Sequence, residues 1–396
     1  MKRTEMKRQT VFVLRIMCIG SILFFVQCTG KNRPSPQPQA NGWGDRVAAY
    51  AVREFMPADK YVWDWAQATM LRAVADRCEL GIDREAMLDY VRKAMDVTMD
   101  RAEGIHPNAV ASGFGMAFLA RVTGEEAYAR KALQIYDDYR RIVKSSNGGV
   151  SHRDNVVELW DDTVYMISLF LLEMYRLTGD EQYLAEVAFQ LAAHAEKLED
   201  PATGLWYHGW DDDGEPFDDG CSMAGWADNP ERRGSQFWGR GNGWVVMTLA
   251  NTLHLMPRTM SERAALEAMF VKLARTLAGL QDATTGHWYQ LPVYPGEAGN
   301  FIESSCTAMF AYGITLGIAD GILPAETFRP VVNSAFRGIE KNSLKTLGDS
   351  LATVTNVCSG TCVGDKAYYF RREVVEGTPF ALGAAIMFHD RYRLLK

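Results

Sequence analysis

The chain of 396 residues is 47% hydrophobic and 23% charged, a composition that supports a globular protein with a sizeable core. Its net charge of -7 argues against the concentrated basic patch that nucleic-acid binding needs, so we predict no nucleic-acid partner. The seven histidines show neither the spacing nor the clustering with cysteine that is typical of metal sites, so we expect no metal and no cofactor.

Residues 1–28 have the layout of an export signal. Basic residues come first, and an apolar run follows that is short and interrupted by an arginine, which disfavours a permanent membrane span. Cys28 resembles the lipidated cysteine of bacterial lipoproteins, although Gln27 is larger than the residue usual before it. We therefore expect a periplasmic or outer-membrane-attached lipoprotein that reaches the membrane only through Cys28, with residues 29–42 as a flexible tether.

Helical periodicity dominates from Trp43 onwards, and strand-like alternation is scarce. We predict twelve helices, at residues 43–56, 59–77, 83–100, 108–122, 125–143, 162–178, 181–198, 243–256, 260–281, 302–320, 324–341 and 378–395. Two corners resemble each other, because a helix ends at Gly124 and at Gly179 and acidic residues then begin the next helix. The corners lack the regular period of about 34 residues of a tetratricopeptide array. The sequence predicts an all-α fold, an (α/α)6 barrel of six helical hairpins, as a single domain over residues 43–396.

Three long segments lack a helical pattern, at residues 199–242, 283–301 and 342–377. Long loops in a compact domain usually carry function. In a closed ring of helices they would gather around one mouth, which is where we expect the functional site.

The sequence WDDTVYM, residues 160–166, places two adjacent acids at a predicted helix start. Either acid fits an N-cap, and capping alone is one open interpretation. Trp160 beside the acids, with His152 and Arg153 shortly before them, offers more polar function than a cap requires.

Residues 204–244 interleave tryptophans with acidic side chains, His208 and Arg240. This composition is expected where sugar rings stack on indoles and hydroxyl groups meet charged groups; the alternative is a loop whose indoles plug the barrel. The glycine-rich lead-in of Trp238 and Arg240 favours presenting a guanidinium bidentately to a substrate carboxylate. The alternative for Arg240 is a surface ion pair with a nearby acid.

Six motifs stand in the order found in glycoside hydrolase family 105, namely WDDTVYM, LWYHGW, FWGRGNGWVVM, TGHWYQ, GNFIESSCTAMFAYGI and GTPFALGAAIM. The chain resembles this family, the unsaturated rhamnogalacturonyl hydrolases, over nearly the whole mature sequence. The family is related to the unsaturated glucuronyl hydrolases of family 88. The resemblance implies an (α/α)6 barrel, in agreement with the hairpin pattern.

The resemblance also implies roles for individual residues. Asp162 matches the catalytic general acid/base, and Asn108 stands where many relatives carry a second active-site aspartate. The residues expected to bind substrate are His208, Trp238, Arg240, Trp244, His152, Arg153, Asn108 and Trp160.

The family chemistry hydrates the C4=C5 double bond that lyases leave on a non-reducing uronic acid. One carboxyl group can serve as acid and then as base if burial beside aromatics such as Trp160 holds its pKa near neutrality. We expect a hydrolase that removes a 4,5-unsaturated uronic acid from pectin-type (rhamnogalacturonan) oligosaccharides. Open alternatives are an unsaturated glucuronyl hydrolase acting on other polyuronates, an epimerase or ordinary glycosidase, and a non-catalytic glycan-binding lipoprotein.

Overall fold

In the computed structural model, the chain is described over residues 42–214, 230–348 and 350–395, and these residues belong to one compact unit that starts at Pro38. Their α-helices are α1 Trp43–Tyr50, α2 Trp65–Glu79, α3 Arg84–Asp96, α4 Pro107–Thr123, α5 Glu126–Tyr139, α6 Asp161–Thr178, α7 Gln182–Leu198, α8 Gly239–Leu255, α9 Arg263–Leu280, α10 Ser304–Ala319, α11 Ala325–Asn342, α12 Lys366–Phe370 and α13 Pro379–Leu394. A π-helical segment, Ala51–Phe55, continues α1.

Six helices form a closed inner ring. Helices α2, α4, α6, α8, α10 and α13 each pack on the next, and α13 packs back on α2. Helices α3, α5, α7, α9 and α11 each pack outside the inner helix that precedes them, and α1 packs outside α13. The first helix of the described residues therefore completes the last hairpin. The prediction of an all-α (α/α)6 barrel is confirmed.

The difference between the inner and outer helices follows from their sequences. Inner helix α10 is apolar on all sides, and every residue from Ser304 to Ile318 is buried. Outer helix α11 is amphipathic and buries Phe328, Val332, Ala335 and Ile339, which are spaced by three or four residues and face the ring. The predicted corners are confirmed, since Gly124 and Gly179 end α4 and α6 in the left-handed conformation.

A buried ion-pair cluster joins the first and last helices of the described residues to α2. The Arg77 guanidinium on α2 donates to Asp390 on α13 and to Asp45 on α1, the latter at 2.7 Å. These contacts join both helices of the last hairpin to the first inner helix, so they close the ring where the chain itself is not continuous.

Four two-stranded antiparallel sheets lie outside the helices of the described ranges, where the sequence pattern predicted no strand. The strand pairs are β1 Glu158–Trp160 with β2 Gly209–Asp211, β3 Trp288–Tyr289 with β4 Ile302–Glu303, β5 Leu344–Thr346 with β6 Ala352–Val354, and β7 Val357–Cys358 with β8 Val374–Val375. With two or three residues each, these strands are too short to show alternation in the sequence.

Two predicted helix starts are wrong. Helix α2 begins at Trp65 rather than at residue 59, because a separate 3₁₀ turn occupies Ala58–Lys60. Helix α8 begins at Gly239 rather than at residue 243, so the glycine-rich stretch is helical and not a flexible lead-in.

The predicted signal segment with Cys28, and the tether up to residue 41, lie outside the described residues. Export and lipid attachment therefore stay predictions. Among the residues that are described, no helix combines the length and apolar character needed to cross a membrane.

Candidate active site

The inner helices begin at one end of the barrel. Because each outer helix carries the chain back, the six inner helices run parallel. Strand β1 ends at Trp160 directly before α6, and Trp238 and Glu303 are the N-cap residues of α8 and α10. We call this end the mouth. Helix N-termini carry partial positive charge and unsatisfied N–H groups, so the mouth favours an anionic ligand.

Asp162 lies in the first turn of α6 and is bound by His208. The His208 Nε2 and an Asp162 carboxylate oxygen are 3.1 Å apart, and the His208 side chain is fully buried while 13% of Asp162 is exposed. The other ring nitrogen, Nδ1, lies 2.6 Å from the hydroxyl of Tyr369 on α12. The structure thus brings together the two predicted residues Asp162 and His208.

The neighbouring Asp161 is completely buried, and neither of its carboxyl oxygens has a hydrogen-bond partner within the described ranges. Burial, and then the charge of Asp162, raise the pKa of Asp161 well above its usual value. Burial also acts to raise the pKa of Asp162, but the hydrogen bond from His208 outweighs it and the pKa is lowered. The expectation that burial holds Asp162 near neutrality is therefore wrong; the carboxyl whose pKa is raised is Asp161.

Two indoles flank this group. Trp160 stacks on the imidazole of His152 with ring centres 4.5 Å apart, and Trp238 stacks on His208 at the same separation. The His152 Nδ1 lies 3.0 Å from the Thr163 hydroxyl, and burial lowers the pKa of His152 to about 3, which makes it a neutral ring. The predicted residues Trp160, His152, Trp238 and His208 therefore form one continuous aromatic wall.

Arg240 is not in a surface ion pair. Its guanidinium is buried between the rings of Trp238 and Phe380, at 4.3 and 4.5 Å from their centres. The two terminal nitrogens donate to the backbone carbonyls of Cys358 and Ser359, at 2.6 and 2.8 Å. The edge that would bind a carboxylate bidentately is thus already used, and Nε is the nitrogen without a partner in the described chain. Substrate binding by Arg240 stays a prediction.

The other predicted residues lie at different depths. Trp244 is fully buried one turn further along α8, stacked on Tyr165 at 4.6 Å in the inner wall. Asn108 lies half-buried in the first turn of α4, and its side chain makes no hydrogen bond to another described residue. Arg153 is half-buried, 6.0 Å from the Trp160 ring centre. The substrate roles of Trp244, Asn108 and Arg153 stay predictions.

Sequence reasoning missed two residues of the site. Tyr369 lies in the last long loop, in the sequence KAYYF, where nothing distinguishes it from its neighbour Tyr368. His106, the N-cap of α4, contacts the His152 ring edge-on at 5.8 Å. A histidine directly before the Pro107 that begins a helix was a visible capping signal.

Asp161, Asp162 and His208 place one oxygen or nitrogen atom each within 4.8 Å of the others, a donor set that a divalent cation accepts. Both ring nitrogens of His208 are, however, already hydrogen-bonded, to Tyr369 and Asp162. We therefore interpret the group as a hydrogen-bonded acid site and assign no metal to it.

Comparison with known proteins places the chain in a family. The chain matches the model of Glycosyl Hydrolase Family 88 over residues 40–395. It is 26% identical to the unsaturated rhamnogalacturonyl hydrolase YesR of Bacillus subtilis over 261 residues. The aligned region covers 63% of this chain and 70% of YesR. It is 27% identical over 199 residues to an unsaturated 3S-rhamnoglycuronyl hydrolase of an Alteromonas species, covering 50% of this chain and 45% of that protein.

Solved structures show the same fold. A family 105 glycoside hydrolase of C. acetobutylicum has a TM-score of 0.79 at 22% identity and covers 90% of this chain and 100% of its own. A possible family 105 member from Klebsiella pneumoniae has a TM-score of 0.75 at 22% identity, with coverage of 95% and 99%. Because the family match extends over nearly all of the described barrel, the chain belongs to glycosyl hydrolase family 88 and is a glycoside hydrolase.

Proposed function

We propose that this protein removes a 4,5-unsaturated uronic acid from the non-reducing end of pectin-type (rhamnogalacturonan) oligosaccharides by hydrating the C4=C5 bond. The observation that carries the proposal is Asp162, a partly exposed carboxyl bound by His208 at a mouth lined with Trp160 and Trp238. The name of the B. subtilis relative supports this substrate class.

The arrangement of acids favours hydration over ordinary glycoside hydrolysis. Ordinary glycosidases place two carboxyl groups on opposite sides of the sugar, about 5 to 9.5 Å apart. Here Asp161 is adjacent to Asp162 and fully buried, with an oxygen of each within 4.8 Å, so the two cannot flank a sugar ring. Hydration needs one acid at the ring, which protonates C4 while water adds at C5. The hemiketal formed at C5 then opens and releases the next sugar.

Substrate binding follows from the walls of the mouth. Trp160 and Trp238 are 5% and 1% exposed, so they act by stacking on His152 and His208 and holding these imidazoles at the mouth. The N-termini of the inner helices stabilise the uronate carboxylate, and Arg240 contributes its Nε if the carboxylate reaches it.

The test is turnover of the unsaturated disaccharide made by a rhamnogalacturonan lyase, followed by the ultraviolet absorbance of its conjugated double bond. We expect the wild type to remove the absorbance and Asp162→Asn to be slower by about 100-fold or more. Asp154→Asn changes an exposed acid in the loop before β1 and should keep wild-type activity. In D₂O, the product should carry one deuteron at C4.

Other outcomes identify the alternatives. Turnover confined to unsaturated glucuronides would assign the substrate class suggested by the Alteromonas relative. Cleavage of saturated uronides would indicate an ordinary glycosidase. Equal glycan binding by wild type and Asp162→Asn, with no turnover by either, would make the protein a binding module and refute the proposal.

A further inference from the structure

We propose that Asp161 and Asp162 form a carboxyl pair that shares one proton, in which the buried Asp161 is a positioning residue that supplies the proton Asp162 delivers to substrate. The kinetic part of this inference rests on the proposed function. The protonation of the pair does not, because it is a property of the free protein.

The first argument is the isolation of Asp161. Its side chain is 0% exposed, neither oxygen has a partner at normal hydrogen-bond geometry among the described residues, and the hydrogen bonding that affects its pKa comes from Asp162 and the local backbone. An ionised carboxylate without a partner in the protein interior costs several kcal/mol or more, so the group takes up a proton instead. A buried carboxylic acid that holds its proton beside the lower-pKa carboxyl of Asp162 can act as a proton store.

The second argument is its position. The Asp161 carboxyl lies against the backbone of α8 at Gly241, where an added Cβ would approach one carboxyl oxygen to 2.1 Å. A glycine at this position leaves room for the carboxyl between α6 and α8. The same placement keeps an oxygen of Asp161 within 4.8 Å of an oxygen of Asp162, so a proton has a short path between them.

The third argument is the charge around the pair. His208 and His152 face Asp162 from the segments beside β2 and β1, and Tyr369 faces both acids from α12. Arg240 on α8 directs its two terminal nitrogens to the carbonyls of Cys358 and Ser359. The stabilising contact of His208 is therefore made to Asp162. In agreement, the pKa of Asp161 is raised by burial and by Asp162, and that of Asp162 is lowered by His208 despite burial.

The chemistry balances with one proton and one water. Asp161 passes its proton to Asp162, and Asp162 donates it to C4 as the C4=C5 electrons form the new C–H bond. Water adds to the cation at C5, and its released proton returns to the pair. Asn108, the half-buried polar side chain at the start of α4, has no carboxyl proton to give, so the store has to lie in the pair.

The direct test is infrared spectroscopy of the free protein at neutral pH, since a protonated carboxyl and a carboxylate absorb separately. We expect the wild-type spectrum to contain a buried carboxylic-acid band that Asp161→Asn abolishes. Glu126→Gln, at an exposed surface pair, should leave the band unchanged. If wild type and Asp161→Asn have the same carboxylic-acid absorbance, the pair is refuted, whether or not the protein hydrates unsaturated uronides.

Kinetics separate a proton store from a packing role. Asn keeps the shape of Asp161, so KM should stay within about twofold while kcat falls about tenfold or more. With Asp162 left to titrate alone at its lowered pKa, the alkaline limb of the kcat profile should move to lower pH by about one unit or more. A lower kcat with an unchanged pH profile would show that Asp161 only packs. In the wild type, a proton inventory in mixed H₂O and D₂O should be curved, and a linear one would contradict the relay.

Discussion

At the residue scale, a chain of hydrogen bonds fixes the proton on His208. The backbone N–H of Gly364 donates to the Tyr369 hydroxyl, which therefore donates its own proton to Nδ1 of His208. Burial raises the pKa of Tyr369 well above its usual value, so the hydroxyl stays protonated. Nδ1 of His208 is then the acceptor, and Nε2 donates to Asp162. Tyr369 thus selects the His208 tautomer that donates to the Asp162 carboxylate.

Replacing Tyr369 by Phe should lower kcat about tenfold with little change in KM. The buried Nδ1 of His208 loses its partner, a cost of about 1 to 3 kcal/mol, and the ring is free to take the other tautomer. Steady-state kinetics on the unsaturated disaccharide measures this effect.

Tyr368→Phe is the matched control for this change. The Tyr368 hydroxyl accepts from the Cys362 N–H and does not contact His208, so this variant should keep wild-type kcat. If both variants behave alike, the hydrogen bond from Tyr369 does not orient His208.

At the element scale, the glycines at the start of α8 allow close packing on three sides. An added Cβ at Gly239 would approach the Gln290 carbonyl to 2.9 Å, one at Gly241 the Asp161 carboxyl, and one at Gly243 the Met309 sulfur to 2.7 Å. The first turns of α8 are therefore held between the segment that follows β3, α6 and α10. The glycines allow neighbouring segments to pack closely against the helix. A glycine-rich stretch that the sequence suggests is flexible is therefore a buried helix.

Gly241→Ala should destabilise the fold by about 1 to 3 kcal/mol, although alanine is the better helix former, because its Cβ displaces the Asp161 carboxyl. Gly279→Ala on outer helix α9 meets nothing within 4 Å and should instead stabilise by up to about 1 kcal/mol. Chemical unfolding of both variants measures the difference. Equal effects of the same sign would mean that helix propensity, and not the contact with Asp161, decides the outcome.

Hydrophobic periodicity was sufficient to predict the inner and outer helices, because the spacing of apolar residues within one helix shows which face of that helix is buried. The motif around Asp162 and His208 likewise predicted that these residues share a site. The partners of Arg240 could not be predicted. They are the backbone carbonyls of Cys358 and Ser359, and every residue type carries such a carbonyl, so the sequence does not distinguish them. The isolation of Asp161 depends on Gly241, 80 positions later along the chain, which only the closed ring brings into contact.

At the scale of the whole molecule, an ion-pair network joins three inner helices at the end of the barrel away from the mouth. One Glu79 oxygen on α2 accepts from Arg121 on α4 and from Arg176 on α6, both at 2.6 Å. Glu173 on α6 is bonded to the same two arginines. These residues lie in the last turns of their helices, where the arginines also complement the C-terminal partial charge.

Glu79→Gln should lower the free energy of unfolding by about 1 to 2 kcal/mol at neutral pH, with partial exposure of the pairs limiting the effect. Although burial acts to raise the pKa of Glu79, the two arginines lower it from 4.5 to about 2. Because the folded-state pKa lies below the unfolded one, this stabilisation is complete above about pH 4.5 and is lost as the pH falls towards about 2. Urea unfolding should therefore show a difference between wild type and Glu79→Gln that shrinks on acidification, while Glu126→Gln, at an exposed pair, shows none. A difference that is independent of pH would assign the role of Glu79 to packing, and the charge network would then not hold the closed end of the ring together.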